Sequence, residues 1–367
     1  MHAIELGARR YPELSNDLMD IGKTLDKEAL AVVVQHMYTN KDAVLCSDRL
    51  PDFLNLITHV PPDLGRCLED VDWVLSQLWQ DDSKTELLLG FLRTWVLRHG
   101  NQKIREDESI ERFDQTIQAI SEKPLVLQRL ITEWLIAEEP QLTSACCGLI
   151  SFLWVRGVRD LSFSTAILDE MDQPAIFHLV RRMLGFVYSE EPLLSLTFSL
   201  LESRDAPTRT YPIVLSLLTK EVGRNYVEGT LHAITHLMDT ASGALRPVLE
   251  SAYNELTAYQ KALDDLPVLQ ELRGPLQLRR AIALRKATDM RKTMDAANGK
   301  SVLINLMKRV PIKAGIGCFS VRDGKIGETS RFGSFSHSVT LPRRSISDPV
   351  GYAIDGLLFR LSKRGDE

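Results

Sequence analysis

Glu228, His232 and His236 are spaced at i, i+4 and i+8, so on a helix they share one face. Two histidines one turn apart can chelate a metal ion. From i to i+8 is about 12 Å along a helix, so Glu228 could only stand behind such a pair and another helix would have to supply a further donor. Position 233 is alanine, where the H-E-x-x-H arrangement of a zinc protease needs glutamate. Val227, Leu231, Ile234 and Met238 run alongside, and polar groups rimming a packed face account for the pattern better. His232 and His236 are kept as weak metal candidates, with no catalytic residue and no cofactor expected.

Other short motifs say less. Gly299-Lys300-Ser301 ends like a phosphate-binding loop, but the full motif needs glycine at 294, where the chain has Met294. His337 stands among Ser334, Ser336 and Ser338 with no acid fixed beside it, and Arg343-Arg344-Ser345 resembles a basophilic kinase site only as a tripeptide. The five cysteines are odd in number and lack a CxxC, which fits free thiols in a reducing compartment.

Charge gives a more extended signal. Residues 1–266 hold 25 Lys and Arg against 40 Asp and Glu, a net −15, whereas residues 267–367 hold 19 against 9, a net +10. The basic residues concentrate on a predicted long helix over 276–298 and the stretch after it: Arg279, Arg280, Arg285, Lys286, Arg291, Lys292, Lys308, Arg309 and Lys313. Lys and Arg spread round a helix can neutralise nucleic-acid phosphates. They can equally pair with an acidic protein partner or with the acidic part of this chain.

The elements that would position these groups read as mainly α. At 367 residues, with 44% hydrophobic and 25% charged content, the chain can bury a sizeable core. Its longest uncharged apolar run, 145–155, is far short of the ~18–20 residues of a membrane span. The expectation is a cytoplasmic protein with no membrane segment and with protein partners, DNA or RNA being possible through the basic region. Helical periodicity marks 61–78, 83–97, 245–266 and further stretches, while 101–123 reads as a charged connector with a surface helix. Asp323-Gly324 predicts a β-hairpin over 316–331 with a possible third strand over 333–340. A terminal amphipathic helix over 350–363 presents Tyr352, Ile354, Leu357, Leu358 and Leu361, which would dock on the chain's own core or bind a partner.

Two stretches, beginning at Pro124 and Pro174, repeat one layout: an apolar helix, Glu-Glu-Pro, and a second apolar helix. At an offset of 52, Leu127 matches Leu179, Arg129 matches Arg181, Trp134 matches Phe186, and Leu142 matches Leu194. This paired-helix spacing over 60–266 resembles HEAT or armadillo-type helical repeats. The resemblance implies antiparallel helix pairs stacked as a solenoid, the alternative being an irregular bundle, and it implies a scaffold rather than a chemistry. The expected organisation is thus an acidic helical domain over 1–266 and a basic region over 267–367. The expected role is a non-enzymatic scaffold or adaptor within a larger assembly, with a nucleic-acid-binding accessory protein as the rival.

Overall fold

The computed structural model describes residues 50–62, 65–100, 110–241, 243–265 and 342–363, with single positions or pairs elsewhere (30, 34, 284, 285, 288, 289, 292, 317, 318, 321, 322, 325, 326, 330, 331). The chain forms two compact units: residues 1–261 together with 340–367, and residues 262–339.

In the first unit the helices are α1 (Leu50–Ile57), α2 (Gly65–Leu78), α3 (Thr85–His99), α4 (Asp114–Ser121), α5 (Pro124–Leu135) and α6 (Pro140–Val155). They continue as α7 (Thr165–Glu170), α8 (Gln173–Phe186), α9 (Glu190–Ser199), α10 (Ala206–Arg209), α11 (Tyr211–Ser216) and α12 (Val222–Asn225). The series ends with α13 (Val227–Met238), α14 (Leu245–Asp264), α15 (Arg343–Ser347) and α16 (Pro349–Leu361). Proline opens several of them, at the first turn where its missing N–H costs nothing: Pro124, Pro140, Pro174 and Pro349. Asp172 and Asp348 cap α8 and α16, accepting from the N–H groups of Ala175 (2.9 Å) and Gly351 (3.0 Å).

One continuous apolar core runs through this unit from α1 to α14. Trp79, Trp95, Phe53, Phe113 and Phe163 are its largest fully buried side chains. Phe113 meets the rings of Trp95 and Phe91 edge-on, with centroids 5.0 and 5.7 Å away. The charged stretch before α4 therefore does more than connect. Ile110, Phe113, Ile117 and Ile120 are all fully buried, because every third or fourth residue between the charges is apolar. Asp72 on α2, itself buried, holds this segment by accepting from the N–H groups of Gln115 and Thr116, both at 2.8 Å.

The two similar helix pairs are α5–α6 and α8–α9. Their matched positions are buried alike: Leu127 and Leu179, Trp134 and Phe186, Leu142 and Leu194. The joints differ in detail, since Pro140 starts α6 directly whereas Glu190 and Glu191 form the first turn of α9 ahead of Pro192. A glutamate of each joint reaches back to a preceding helix: Glu139 pairs with Arg93 at 2.8 Å, and Glu191 accepts from the Trp154 indole at 2.8 Å. The fold is mainly α-helical and compatible with a helical repeat.

After α9 the helices shorten and a π-helical turn, Leu217–Glu221, separates α11 from α12. Residues 207–220 therefore do not form one helix: α10 ends at Arg209, and α11 starts at Tyr211 with Pro212 in its first turn.

α16 packs on α8, within the first unit. In the second unit, Val321–Arg322 pairs antiparallel with Lys325–Ile326, and Gly317–Cys318 with Ser330–Arg331. These pairings are two residues long; residues 323–324 and the stretch over 333–340 lie outside the described residues.

Candidate functional site beneath the terminal helix

α16 is attached by its less apolar side. Taking about 100° per residue, Tyr352, Gly356, Phe359 and Arg360 lie opposite Val350, Ile354, Leu357 and Leu361. Contact with α8 is made at Gly185: a Cβ there would stand 2.9 Å from the Arg360 backbone nitrogen and 3.1 Å from the Phe359 carbonyl carbon. Glycine permits this close helix approach. Arg360 is 8% exposed; its Nε donates to the Gly185 carbonyl at 2.7 Å and an Nη donates to the Tyr188 hydroxyl. The guanidinium also lies 5.4 Å from the Tyr188 ring centre.

Of the residues that make α16 amphipathic, Tyr352 faces the body and the aliphatic ones do not. Ile354, Leu357, Leu358 and Leu361 are 46–65% exposed, and Val350 and Ile346 are more open still, at 68% and 69%. The physical reason is that the buried guanidinium and the glycine contact fix the helix rotation. The apolar stripe is left facing outward.

A cavity of about 300 Å³ lies between the terminal segment and the helical body, lined in part by Glu221, Tyr226, Arg344, Tyr352, Asp355 and Phe359. The π-helical turn delivers Glu221 to it. That widened turn brings the Leu218 carbonyl to 1.6 Å from where a Cβ of residue 223 would stand, so only glycine fits there. Asn225 ties the cavity wall to the terminal segment: its Oδ1 accepts from the Arg344 N–H at 3.0 Å, and its Nδ2 donates to the Glu221 carbonyl at 2.8 Å. Arg344 in turn pairs with Asp355 at 2.5 Å, and Tyr226 donates its hydroxyl to the Tyr188 carbonyl at 2.9 Å.

Electrostatics here follow burial. Desolvation raises the Glu221 carboxyl above its ordinary range; Arg344 opposes this and Asp355 adds to it. Burial also raises the Tyr226 phenol, with smaller contributions from Tyr352 and Glu190. Cys147 is pushed up to about 11 by burial, against the pull of Arg360 and a bond from Ser151, and its thiol donates to the Phe186 carbonyl at 2.8 Å. A thiol so held is inert rather than nucleophilic.

His232 and His236 are both exposed on α13, as is Glu228. Among the described residues no group of three or more His, Cys, Asp or Glu side chains is placed to hold a metal ion. Of the basic candidates, Arg285 and Lys292 have helical backbone and are exposed. Arg279, Arg280, Lys286, Arg291, Lys308, Arg309 and Lys313 lie outside the described residues, as do Gly299-Lys300-Ser301 and His337. Arg344 and Ser345, noted in the sequence only as part of a tripeptide, are structural here: the Ser345 hydroxyl donates to the Pro342 carbonyl at 2.6 Å at the start of α15. Gly185 and Arg360 carried no local signal, since they meet across 175 positions, and Glu221 carried none because residues far along the chain complete its cavity.

Compared with known proteins, the chain matches no family model, no curated protein and no solved structure. Among the described residues no helix is long and apolar enough to cross a membrane.

Proposed function

We propose that the chain is a non-enzymatic helical scaffold or adaptor of the cytoplasm that binds a protein partner on the outer face of α16. The observation that carries this reading is the continuous exposed stripe Val350, Ile354, Leu357 and Leu361, held rigid by the buried Arg360 on the other side of the helix. Contiguous exposed apolar surface of this kind marks interaction sites, and spacing at i, i+4, i+7 and i+11 matches helix-in-groove recognition. A stacked helical body gives such a face a stiff support.

A photo-crosslinking residue placed at Ile354 should join the partner in cells, and Leu357→Asp combined with Leu358→Asp should abolish the product without changing the melting temperature. Crosslinking unaffected by the double substitution would sink the reading, as would substrate turnover by the purified protein.

The exposure of Arg285 and Lys292 favours a second reading, a nucleic-acid-binding accessory protein that grips phosphate through 276–313. Its affinity for DNA or RNA must then fall steeply with salt, and charge reversal at Arg279, Arg280, Arg291 and Lys292 must flatten that slope. Salt-independent binding removes it.

A further inference from the structure

We propose that the cavity beneath α16 binds an organic monocation, a primary ammonium or guanidinium group, through the Glu221 carboxylate and the rings of Tyr226 and Tyr352. This site is on the inner side of α16 and does not depend on what covers the outer stripe.

Charge pairing leads to the assignment. Of the two carboxylates lining the cavity, Asp355 is committed to Arg344 at 2.5 Å. Glu221 is half-buried; Arg344, Arg224 and Lys220 act on its carboxylate through their charge alone, and among the described residues no hydrogen bond is made to it. A carboxylate partly withdrawn from water with no hydrogen bond made to it is costly, and a cation entering the cavity and donating to it would relieve that cost. The cations already present leave no counterpart room for an anion. Arg344 is held by Asp355, and Arg360 is engaged by the Gly185 carbonyl and the Tyr188 hydroxyl.

The remaining walls select an organic cation over a metal. Tyr226, Tyr352 and Phe359 line the same cavity, and aromatic faces attract ammonium and guanidinium groups. Leu193 and Val222 add apolar surface suited to a methylene stem. No third His, Cys, Asp or Glu side chain joins the two carboxylates in a metal-holding group among the described residues. A cavity of about 300 Å³ takes the end of a lysine or arginine side chain or a small free amine.

The test uses the full chain, with n-butylammonium, its neutral isostere 1-butanol, and the peptide acetyl-Gly-Lys-Gly-amide titrated by ligand-observed NMR. The wild-type protein should bind the ammonium at least about tenfold more tightly than the alcohol, the size expected for a charge-assisted bond. Glu221→Gln should erase that preference while leaving the circular dichroism spectrum unchanged, and Tyr352→Leu should weaken ammonium binding. A peptide that binds more tightly than the free amine assigns the site to a basic side chain; a weaker one assigns it to a small amine. Equal affinity for ammonium and alcohol in the wild type overturns the proposal. So does the absence of saturable binding by both cations, or a preference that survives in Glu221→Gln. Should that variant fail to fold, the wild-type comparison of ammonium with alcohol decides alone.

Discussion

Arg360 donates to the carbonyl of Gly185, 175 positions earlier in the chain, across a contact too close for any side chain at residue 185. Gly185→Ala sets two effects against each other. Alanine favours a helix interior by about 1 kcal/mol over glycine. Its Cβ, however, would stand 2.9 Å from a backbone nitrogen that cannot swing aside. The clash should win: α16 should detach, and limited proteolysis should cleave after Arg344 or Arg360 in the variant well before it does so in the wild type.

Gly223→Ala poses the same conflict within one chain segment. The obstructing atom is the Leu218 carbonyl oxygen, fixed by the π-helical turn. The substitution should destabilise despite alanine's helix preference and should move Glu221 out of its cavity. Chemical denaturation will show the lowered stability.

Asp72→Ala removes the acceptor for two backbone N–H groups at the start of α4, with Thr116 buried. Loss of a cap costs about 1 kcal/mol and an orphaned buried donor about as much again. A fall of about 2 kcal/mol or more in unfolding free energy is expected from urea titration.

Glu221 predicts a pH effect with a definite sign. Burial, assisted by Asp355 and opposed by Arg344, raises its carboxyl above the ordinary 4.5. Below that ordinary value both folded and unfolded chains hold the proton, and Glu221 contributes nothing. As pH rises past it the unfolded chain ionises first, so this residue lowers stability until the folded carboxyl ionises too. Glu221→Gln should therefore gain melting temperature over the wild type at pH 7.5 and show no gain at pH 4.

Cys67 is pushed up to about 11 by burial with a contribution from Asp70; Cys147 stands at a similar level and Cys146 is also raised by burial. At pH 8 all three should react with a thiol reagent only after denaturant is added, and with the kinetics of unfolding.

The helices of the body were legible from sequence wherever apolar residues recur at three and four. Pro124–Leu135, Pro140–Val155 and Leu245–Asp264 fall close to where periodicity places them. The burial of Ile110 and Phe113 was obscured by the charges around them, since composition averages over faces that a helix separates. The candidate site was less legible still. α16 has an evident apolar stripe, and the stripe points outward; what attaches the helix is one arginine and one distant glycine. Contacts across such separations leave no spacing to read. The π-helical turn that presents Glu221 was hidden for a different reason: a single extra residue within a helical stretch leaves its periodicity nearly unchanged.

The order in which the cavity's walls are made follows from their positions in the chain. Tyr226 leaves the ribosome 126 residues before Tyr352, an interval of roughly 6–25 s at ordinary elongation rates. During that time Gly185 and Glu221 stand uncovered, and a product terminated anywhere in the basic stretch never acquires its closing helix. Completion of the cavity thus reports synthesis through Leu361.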